Sequence, residues 1–137
     1  MLRLELVNNE NKYYEFISEL RTNPLIEEGF TEKVEEISAQ QQKDYMKKYA
    51  KNYFVCLSAG EPVGYVGEID GDIRVATHPD YQGLGVGSFM INELMKKSPS
   101  AYAKVKIENE VSLKLFEKCG FEKKYYIMER LDVTQPL

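Results

Sequence analysis

Apolar residues recur with two different spacings along the first half of the chain, one typical of strands and one typical of helices. Residues 2–6 alternate leucine with charged residues, which is typical of a half-buried strand. Over residues 13–20 the apolar side chains recur three and four positions apart, which predicts an amphipathic helix. Ser38 and Gln41 form the pattern of a capping box, so we expect a second helix over about residues 39–49.

The middle of the chain is rich in β-branched and aromatic residues, and we expect three strands there. They are Tyr53–Leu57, Val63–Ile69 and Ile73–Thr77. The triplet Asp70–Asp72, with glycine at its centre, is a strong signal for a hairpin turn between the last two. Residues 22–37 contain a proline and a glycine among mixed polar and apolar residues, and their pattern fits neither a strand nor a helix.

The last third predicts two helices and two further stretches of strand. An apolar stripe over residues 90–95 indicates a helix, and alternation indicates a strand at Tyr102–Ile107. Asn109 is expected to cap a second helix, which ends at Gly120 in a Schellman-type contact. Residues Phe121–Leu131 then close the chain as one long strand or two fused ones. The predicted order is β-α-α-β-β-β-α-β-α-β, in one α/β (α+β) domain with a mixed sheet and helices on both faces.

Composition narrows the class of protein. The 137 residues suit a single domain, and a formal net charge of -4 without a basic run gives no sign of nucleic acid or an anionic membrane as partner. Cys56 and Cys119 lie in apolar patterns and are expected to be reduced core thiols. Because neither metal-ligand spacing nor a long apolar segment occurs, we expect a metal-free, cytoplasmic protein.

The most informative segment is Val75–Ser88, where an apolar strand runs through a proline turn into a glycine-rich loop that opens a helix. Glycines let the backbone approach an anion closely, and the free N–H groups and positive dipole end of a helix start favour a pyrophosphate. The spacing Gln82-x-x-Gly85-x-Gly87 fits neither the dinucleotide-binding fingerprint nor the P-loop.

A second block follows this loop, Asn109-x-x-Ser112-x-x-Leu115-Phe116-Glu117-Lys118-x-Gly120-Phe121. Together the two blocks resemble the GNAT superfamily of N-acetyltransferases. The resemblance is specific over about residues 73–121, and the order of elements extends it more loosely to the whole chain. It implies a mostly antiparallel central sheet in which Ile73–Thr77 and Tyr102–Ile107 splay apart to hold the pantetheine arm of acetyl-CoA.

The resemblance also implies a set of cofactor-binding residues. Main-chain groups of the strand would pair with the pantetheine, loop amides would hold the pyrophosphate, and residues of the second block would add contacts. These residues are Val75, Ala76, Thr77, Gln82, Gly83, Leu84, Gly85, Val86, Gly87, Ser88, Asn109, Ser112 and Phe116. Asn109 is expected to cap its helix whether or not it also contacts the cofactor.

Phe116 departs from the family pattern. Many relatives carry tyrosine there as the acid that protonates the leaving thiolate, whereas phenylalanine has no proton to give and is expected to pack against the cofactor arm. Tyr126, or its neighbour Tyr125, is a candidate to supply that proton.

Acetyl transfer also needs a base to deprotonate the amine. Glu68 is the best candidate, although a solvated strand position is equally expected for it. Asp70 and Asp72 are interpreted as turn residues, and His78, before a proline at the mouth of the loop, as structural.

The leading hypothesis is therefore an N-acetyltransferase that moves an acetyl group from acetyl-CoA to a primary amine by direct attack in a ternary complex. The acceptor is a small molecule such as an amino sugar, a polyamine or an amino acid, and a protein amine is an alternative. The rival hypotheses are a non-catalytic acyl-CoA sensor and a nucleotide-binding regulator. Both a monomer and a homodimer are compatible with the sequence.

Overall fold

The computed structural model describes residues 2–27 and 38–131, and a four-stranded antiparallel sheet forms its centre. The order across the sheet follows the chain. The strands are β1 (Leu4–Asn8), β2 (Tyr53–Ser58), β3 (Glu61–Ile69) and β4 (Asp72–Thr77). Asp70 and Gly71, both at positive φ, form the tight turn between β3 and β4. These four strands and the turn confirm the predictions, except that Asp72, predicted as a turn residue, is the first residue of β4 and pairs with Ile69.

Five α-helices lie within the described residues. They are α1 (Tyr14–Thr22), α2 (Pro24–Glu27), α3 (Ala39–Tyr49), α4 (Val86–Lys97) and α5 (Glu110–Lys118). The short α2 was not predicted, and it occupies the start of the segment that fitted neither period; the rest of that segment, 28–37, lies outside the described residues. The other four confirm the predicted helices.

The sheet separates two apolar layers, because successive strand residues point to opposite faces. On one face, here called the α1 face, Val55 packs with Ile17 of α1 and Met46 of α3. On the other, called the α4 face, Cys56 packs with Met90 of α4. Helices therefore lie on both faces of the sheet, as predicted.

The strand predicted at Tyr102–Ile107 is wrong. Only Tyr102 bridges the sheet, through one parallel pairing with Asp72, and residues 103–106 have no regular structure. The strand predicted over Phe121–Leu131 is also wrong, since these residues are irregular and are exposed from Glu122 onwards. Each segment has the alternation of a strand, but a strand forms only when its backbone groups find a neighbouring backbone. Beyond Tyr102, neither segment is paired with a strand in the described part of the chain.

Candidate functional site

Within the described residues, the outer edge of β4 is covered at its start alone. The N–H of Tyr102 donates to the carbonyl of Gly71 (2.8 Å), and the N–H of Ile73 donates to the carbonyl of Tyr102 (2.9 Å). After this bridge, no further backbone pairing joins the two segments among the described residues. In the part of the chain that the structure describes, the rest of the β4 edge therefore has no strand beside it, as the predicted splaying of these two segments requires.

Two peptide groups of β4 face the uncovered edge. Hydrogen-bonding direction alternates along an antiparallel strand. The N–H of Ile73 points outward, whereas the N–H of His78 points inward and donates to a carbonyl of β3 (2.8 Å). The peptide groups of Val75 and Thr77 consequently point outward. The side-chain amide of Gln82 donates to the Thr77 carbonyl (3.2 Å), and no backbone group of the described residues bonds Val75 on this side.

Local contacts fix the turn that follows β4. The N–H of Asp80 donates to Nδ1 of His78 (3.1 Å). The His78 imidazole also meets the ring of Tyr81 edge-on, with 6.2 Å between the centroids. These contacts make His78 part of the turn, and its lack of a catalytic role stays a prediction.

The glycine loop leaves open space in front of a helix start. Gly85 is the N-cap residue of α4 with φ at 87°, a conformation that residues with side chains rarely adopt. A Cβ atom built at Gly83 or Gly85 would have no heavy atom of the other described residues within 4 Å. Helical bonding begins with the N–H of Phe89 on the Gly85 carbonyl (3.1 Å), so the N–H groups of residues 86–88 have no helical acceptor. Because the first turn of α4 has no acidic residue, the positive end of its dipole is not neutralised there.

Helix α5 supports this helix start from the side. A Cβ at Gly87 would lie 3.0 Å from Cδ2 of Leu115, so the first turn of α4 and the α5 side chain fit closely only because residue 87 is glycine. Asn109 caps α5 as predicted, its Oδ1 accepting from the N–H of Ser112 (3.1 Å). Asn109 and Ser112 are therefore joined at the N-terminus of α5.

The predicted Schellman contact ends α5. The N–H of Phe121 donates to the carbonyl of Phe116 and that of Gly120 to Glu117, both at 3.0 Å. The rings of Phe116 and Phe121 meet at 5.1 Å between centroids, and Phe116 is only 7% exposed. Phe116 thus lies in the apolar layer of the α4 face, and its predicted contact with a cofactor stays a prediction.

Of the two predicted catalytic residues, Glu68 lies apart from the glycine loop, and Tyr126 lies in the exposed segment after α5. The Glu68 carboxylate accepts from the hydroxyl of Ser98 (3.3 Å), which directly follows the C-terminal end of α4. A helix of 12 residues is about 18 Å long, so this end is far from the loop at Gly85. Tyr126 is 81% exposed in the irregular segment after α5. The structure brings together the edge of β4, the loop, α4 and α5, whereas Glu68 lies on β3 opposite Ile73, toward the far end of α4.

A polar cluster on the α1 face was not predicted from the sequence. It consists of Arg21, Tyr45, Tyr53, Tyr65 and Arg74, and we call it the arginine–tyrosine cluster. The hydroxyls of Tyr45 and Tyr53 are 2.6 Å apart, and the rings of Tyr53 and Tyr65 meet edge-on at 5.4 Å. The guanidinium of Arg21 lies 3.5 Å from the ring centroid of Tyr45.

Arg74 reaches this face because it stands next to Ala76 in the alternation of β4. Its Nη2 lies 3.3 Å from Oδ2 of Asp72, whose side chain is mostly buried. Burial raises the pKa of Tyr53 and of Tyr65, and the Arg21 guanidinium opposes this rise in both. The one sequence signal for the cluster was an arginine inside the apolar strand Ile73–Thr77.

Comparison with known proteins agrees with the architecture. The chain resembles the spermidine N-acetyltransferase of Vibrio cholerae, solved with CoA and spermine, with a TM-score of 0.77 at 24% identity over 94% of this chain and 86% of that one. It also resembles YncA of Salmonella typhimurium, a putative acetyltransferase solved with acetyl-CoA, with a TM-score of 0.71 at 16% identity over 87% of this chain and 79% of that one. At these identities the likeness shows the fold.

The sequence itself gives the family. Residues 14–121 match the acetyltransferase (GNAT) family, which is most of the chain. The chain therefore belongs to the GNAT family of acetyltransferases, as the resemblance of its two motifs predicts. An uncharacterized N-acetyltransferase of Methanocaldococcus jannaschii is 29% identical over 58% of this chain. The match spans 42% of the length of that relative.

Two further observations concern the described residues only. No helix in that part of the chain is both long and apolar enough to span a membrane. No group of three or more histidine, cysteine, aspartate or glutamate side chains stands there in an arrangement that could hold a metal ion.

Proposed function

We propose that this chain transfers the acetyl group of acetyl-CoA to a primary amine of a small molecule. Membership of the GNAT family supports the reaction class. The observation that carries the proposal is the uncovered edge of β4, with outward peptide groups at Val75 and Thr77, leading directly into the open glycine loop.

The cofactor arm would lie along this edge as an added strand. Peptide groups at Val75 and Thr77 offer donors and acceptors in the direction that an extended amide chain needs. The peptide groups of Ala76 point toward β3, so Ala76 would lie beside the cofactor arm without a hydrogen bond to it. The arm would therefore be held by backbone groups, which depend little on side-chain identity.

The pyrophosphate would lie at the start of α4. The loop from Gln82 to Ser88 ends in the N–H groups of residues 86–88, which have no helical acceptors and lie at the positive end of a helix dipole. Gly83 and Gly85 leave the space in front of these groups open. Asn109 and Ser112 would contact the cofactor from the N-terminus of α5.

In the proposed ternary complex, the amine nitrogen attacks the thioester carbonyl carbon directly. The C–N bond forms, the C–S bond breaks and the thiolate of CoA leaves, while the nitrogen loses its proton. Glu68 as base and Tyr126 as acid stay predictions. The similar structures include enzymes named for spermidine and aminoglycoside substrates, which supports a small amine as acceptor.

Thermal unfolding with CoA tests the cofactor site. A ligand that binds only the folded state stabilises it by about 2.7 kcal/mol at a hundredfold excess over Kd. We expect this stabilisation in the wild type and its loss in Gly85→Glu, because the new carboxylate would occupy the space proposed for the pyrophosphate and repel it.

Gly60→Glu is the matched control. Gly60 also has a positive φ (83°) and no described atom within 4 Å of a built Cβ, but it lies in the β2–β3 turn. Both variants therefore carry the same kind of backbone strain, and only Gly85→Glu should lose CoA binding. A folded wild type that CoA does not stabilise would overturn the proposal. CoA binding without thiol release across an amine panel would favour the sensor hypothesis.

A further inference from the structure

The arginine–tyrosine cluster lies beside the proposed cofactor path, on the opposite face from α4. Arg74 directly precedes Val75, whose outward peptide group is proposed to bind the cofactor arm. Neighbouring residues of a strand are about 3.3 Å apart along its axis. An acceptor amine approaching the edge of β4 from the α1 face would therefore pass the Arg74 guanidinium.

The two guanidinium groups keep donors that nothing in the described chain uses. Nε of Arg74 is buried and has no hydrogen-bond partner among the described residues, while Nη2 contacts Asp72. Arg21 stacks on Tyr45 and reaches only Gln42, at 3.5 Å from Nη1 to Oε1. A buried donor without a partner is costly, so a water molecule or a ligand is expected to satisfy this group.

The charges of this region favour an anion. Among the described residues of the cluster and those in contact with it, there are two guanidinium groups and one carboxylate, that of Asp72. Both guanidinium groups also lie close enough to Tyr65 to oppose the rise in its pKa that burial causes. Tyr65 is 2% exposed and sits on β3 opposite Ala76, diagonally across from Arg74, while Arg21 stacks on Tyr45 of the same cluster.

From this geometry we infer that the arginine–tyrosine cluster binds an anionic group of the acceptor, so that the substrate is an amine that also carries a carboxylate or a phosphate. The inference rests on the proposed function and specifies its acceptor. A guanidinium offers paired donors that match the oxygens of either anion. A polyamine, in contrast, would be repelled by the two positive charges of the arginine–tyrosine cluster.

Matched acceptors test the inference, with thiol release from acetyl-CoA as the readout. An amino acid is compared with its amide, and an amino sugar phosphate with the free amino sugar, so that each pair differs in the anionic group. Spermidine is the polycationic arm. We expect kcat/KM to be higher for the anionic member of at least one pair, and the pair that shows it identifies the carboxylate or the phosphate as the group bound.

Two variants link this preference to the cluster. Arg74→Gln and Arg21→Gln should each raise KM for the anionic acceptor by about tenfold or more, with little change for its neutral partner. Arg21→Gln keeps the Asp72–Arg74 pair intact and so covers the case in which Arg74→Gln fails to fold. Arg3→Gln, an exposed arginine before β1, is the control and should change neither KM.

Direct binding completes the test, because it does not depend on turnover. Calorimetric titration of the CoA-loaded protein with the same acceptors should show binding of an anionic amine that Arg21→Gln weakens. If CoA binds but neutral amines or spermidine are preferred, or no anionic amine binds at millimolar concentration, the inference is overturned while the proposed function stands. If CoA itself does not bind, both are overturned.

Discussion

Single residues decide how α5 meets the rest of the fold. Gly87 leaves just enough room for the Leu115 side chain, and Phe116 fills the apolar layer beside it with its ring against Phe121. At position 116 the family pattern favours a tyrosine with a chemical role. In this chain the residue packs in an apolar layer, because its ring is buried and its neighbours are apolar.

Phe116→Tyr should therefore cost stability and not gain activity. A hydroxyl added to the buried ring would lose its hydration, which costs about 1–3 kcal/mol when no partner is available. We expect the free energy of unfolding in urea to fall by that amount and turnover to change by less than about tenfold.

Phe121→Tyr is the control for the phenylalanine pair, because Phe121 is partly exposed and a hydroxyl there can reach water. A Phe116→Tyr variant that is as stable as the wild type and about a hundredfold faster would contradict this interpretation. It would mean that the phenol reaches the leaving thiolate and that the wild type is a degraded enzyme.

At the scale of elements, local hydrogen bonds fix where the helices begin and end. The Ser38 hydroxyl accepts from the N–H of Gln41 (3.1 Å), and the Gln41 side chain accepts from the N–H of Ser38 (2.7 Å), which completes the capping box of α3. Asn109 caps α5 in the same manner. At Asn109 the cap is also a predicted cofactor contact, so the two roles need to be separated.

Asn109→Ser and Asn109→Ala separate them. Serine is nearly as good a helix cap as asparagine, whereas alanine loses about 1 kcal/mol. Urea unfolding should therefore show a clear loss of stability only for Asn109→Ala. If the asparagine amide contacts the cofactor, CoA titration should show weaker binding in both variants. Wild-type affinity in Asn109→Ser would leave Asn109 with the capping role alone.

At the scale of the whole molecule, the sheet buries ionisable groups on both of its faces. Cys56 lies on the α4 face, and burial raises the pKa of its thiol to about 11. Tyr53 and Tyr65 lie on the α1 face, and burial raises their pKa values further. All three shifts act in the same direction, since each penalises the ionised form of an acid in the folded protein.

Stability should consequently fall in alkaline solution. The unfolded chain releases these protons at lower pH than the folded chain, so the folded state is favoured below the ordinary pKa and loses that advantage as pH rises. For Cys56 this window runs from about pH 9 to about 11, and the tyrosines extend it upward. Urea unfolding at a series of pH values should show the decline.

Cys56→Ala provides the comparison, because it removes one of the three groups. Its free energy of unfolding should be lower at neutral pH, from the lost packing, but should decline less between pH 9 and 11 than that of the wild type. A wild-type stability that is flat across this window would show that these groups titrate alike in the folded and unfolded states.

The features that the sequence determined alone are those that depend on residues close together in the chain. The capping box at Ser38, the turn at Asp70–Asp72, the cap at Asn109 and the Schellman end at Gly120 each involve a handful of consecutive residues. The glycine loop is also a local feature, since the spacing of its glycines determines its backbone conformation and marks the start of the helix that follows. These local signals were sufficient to predict the family, and the family match confirms it.

The tertiary structure decided what depends on distant neighbours. Residues 102–107 and 121–131 alternate like strands, yet they lack regular structure because a strand requires a partner that its own sequence does not specify. Arg21 and Arg74 belong to one cluster only because α1 packs on the face of the sheet that Arg74 shares. Alternation in a sequence states which residues share a face, but only the packing of the elements determines what that face meets.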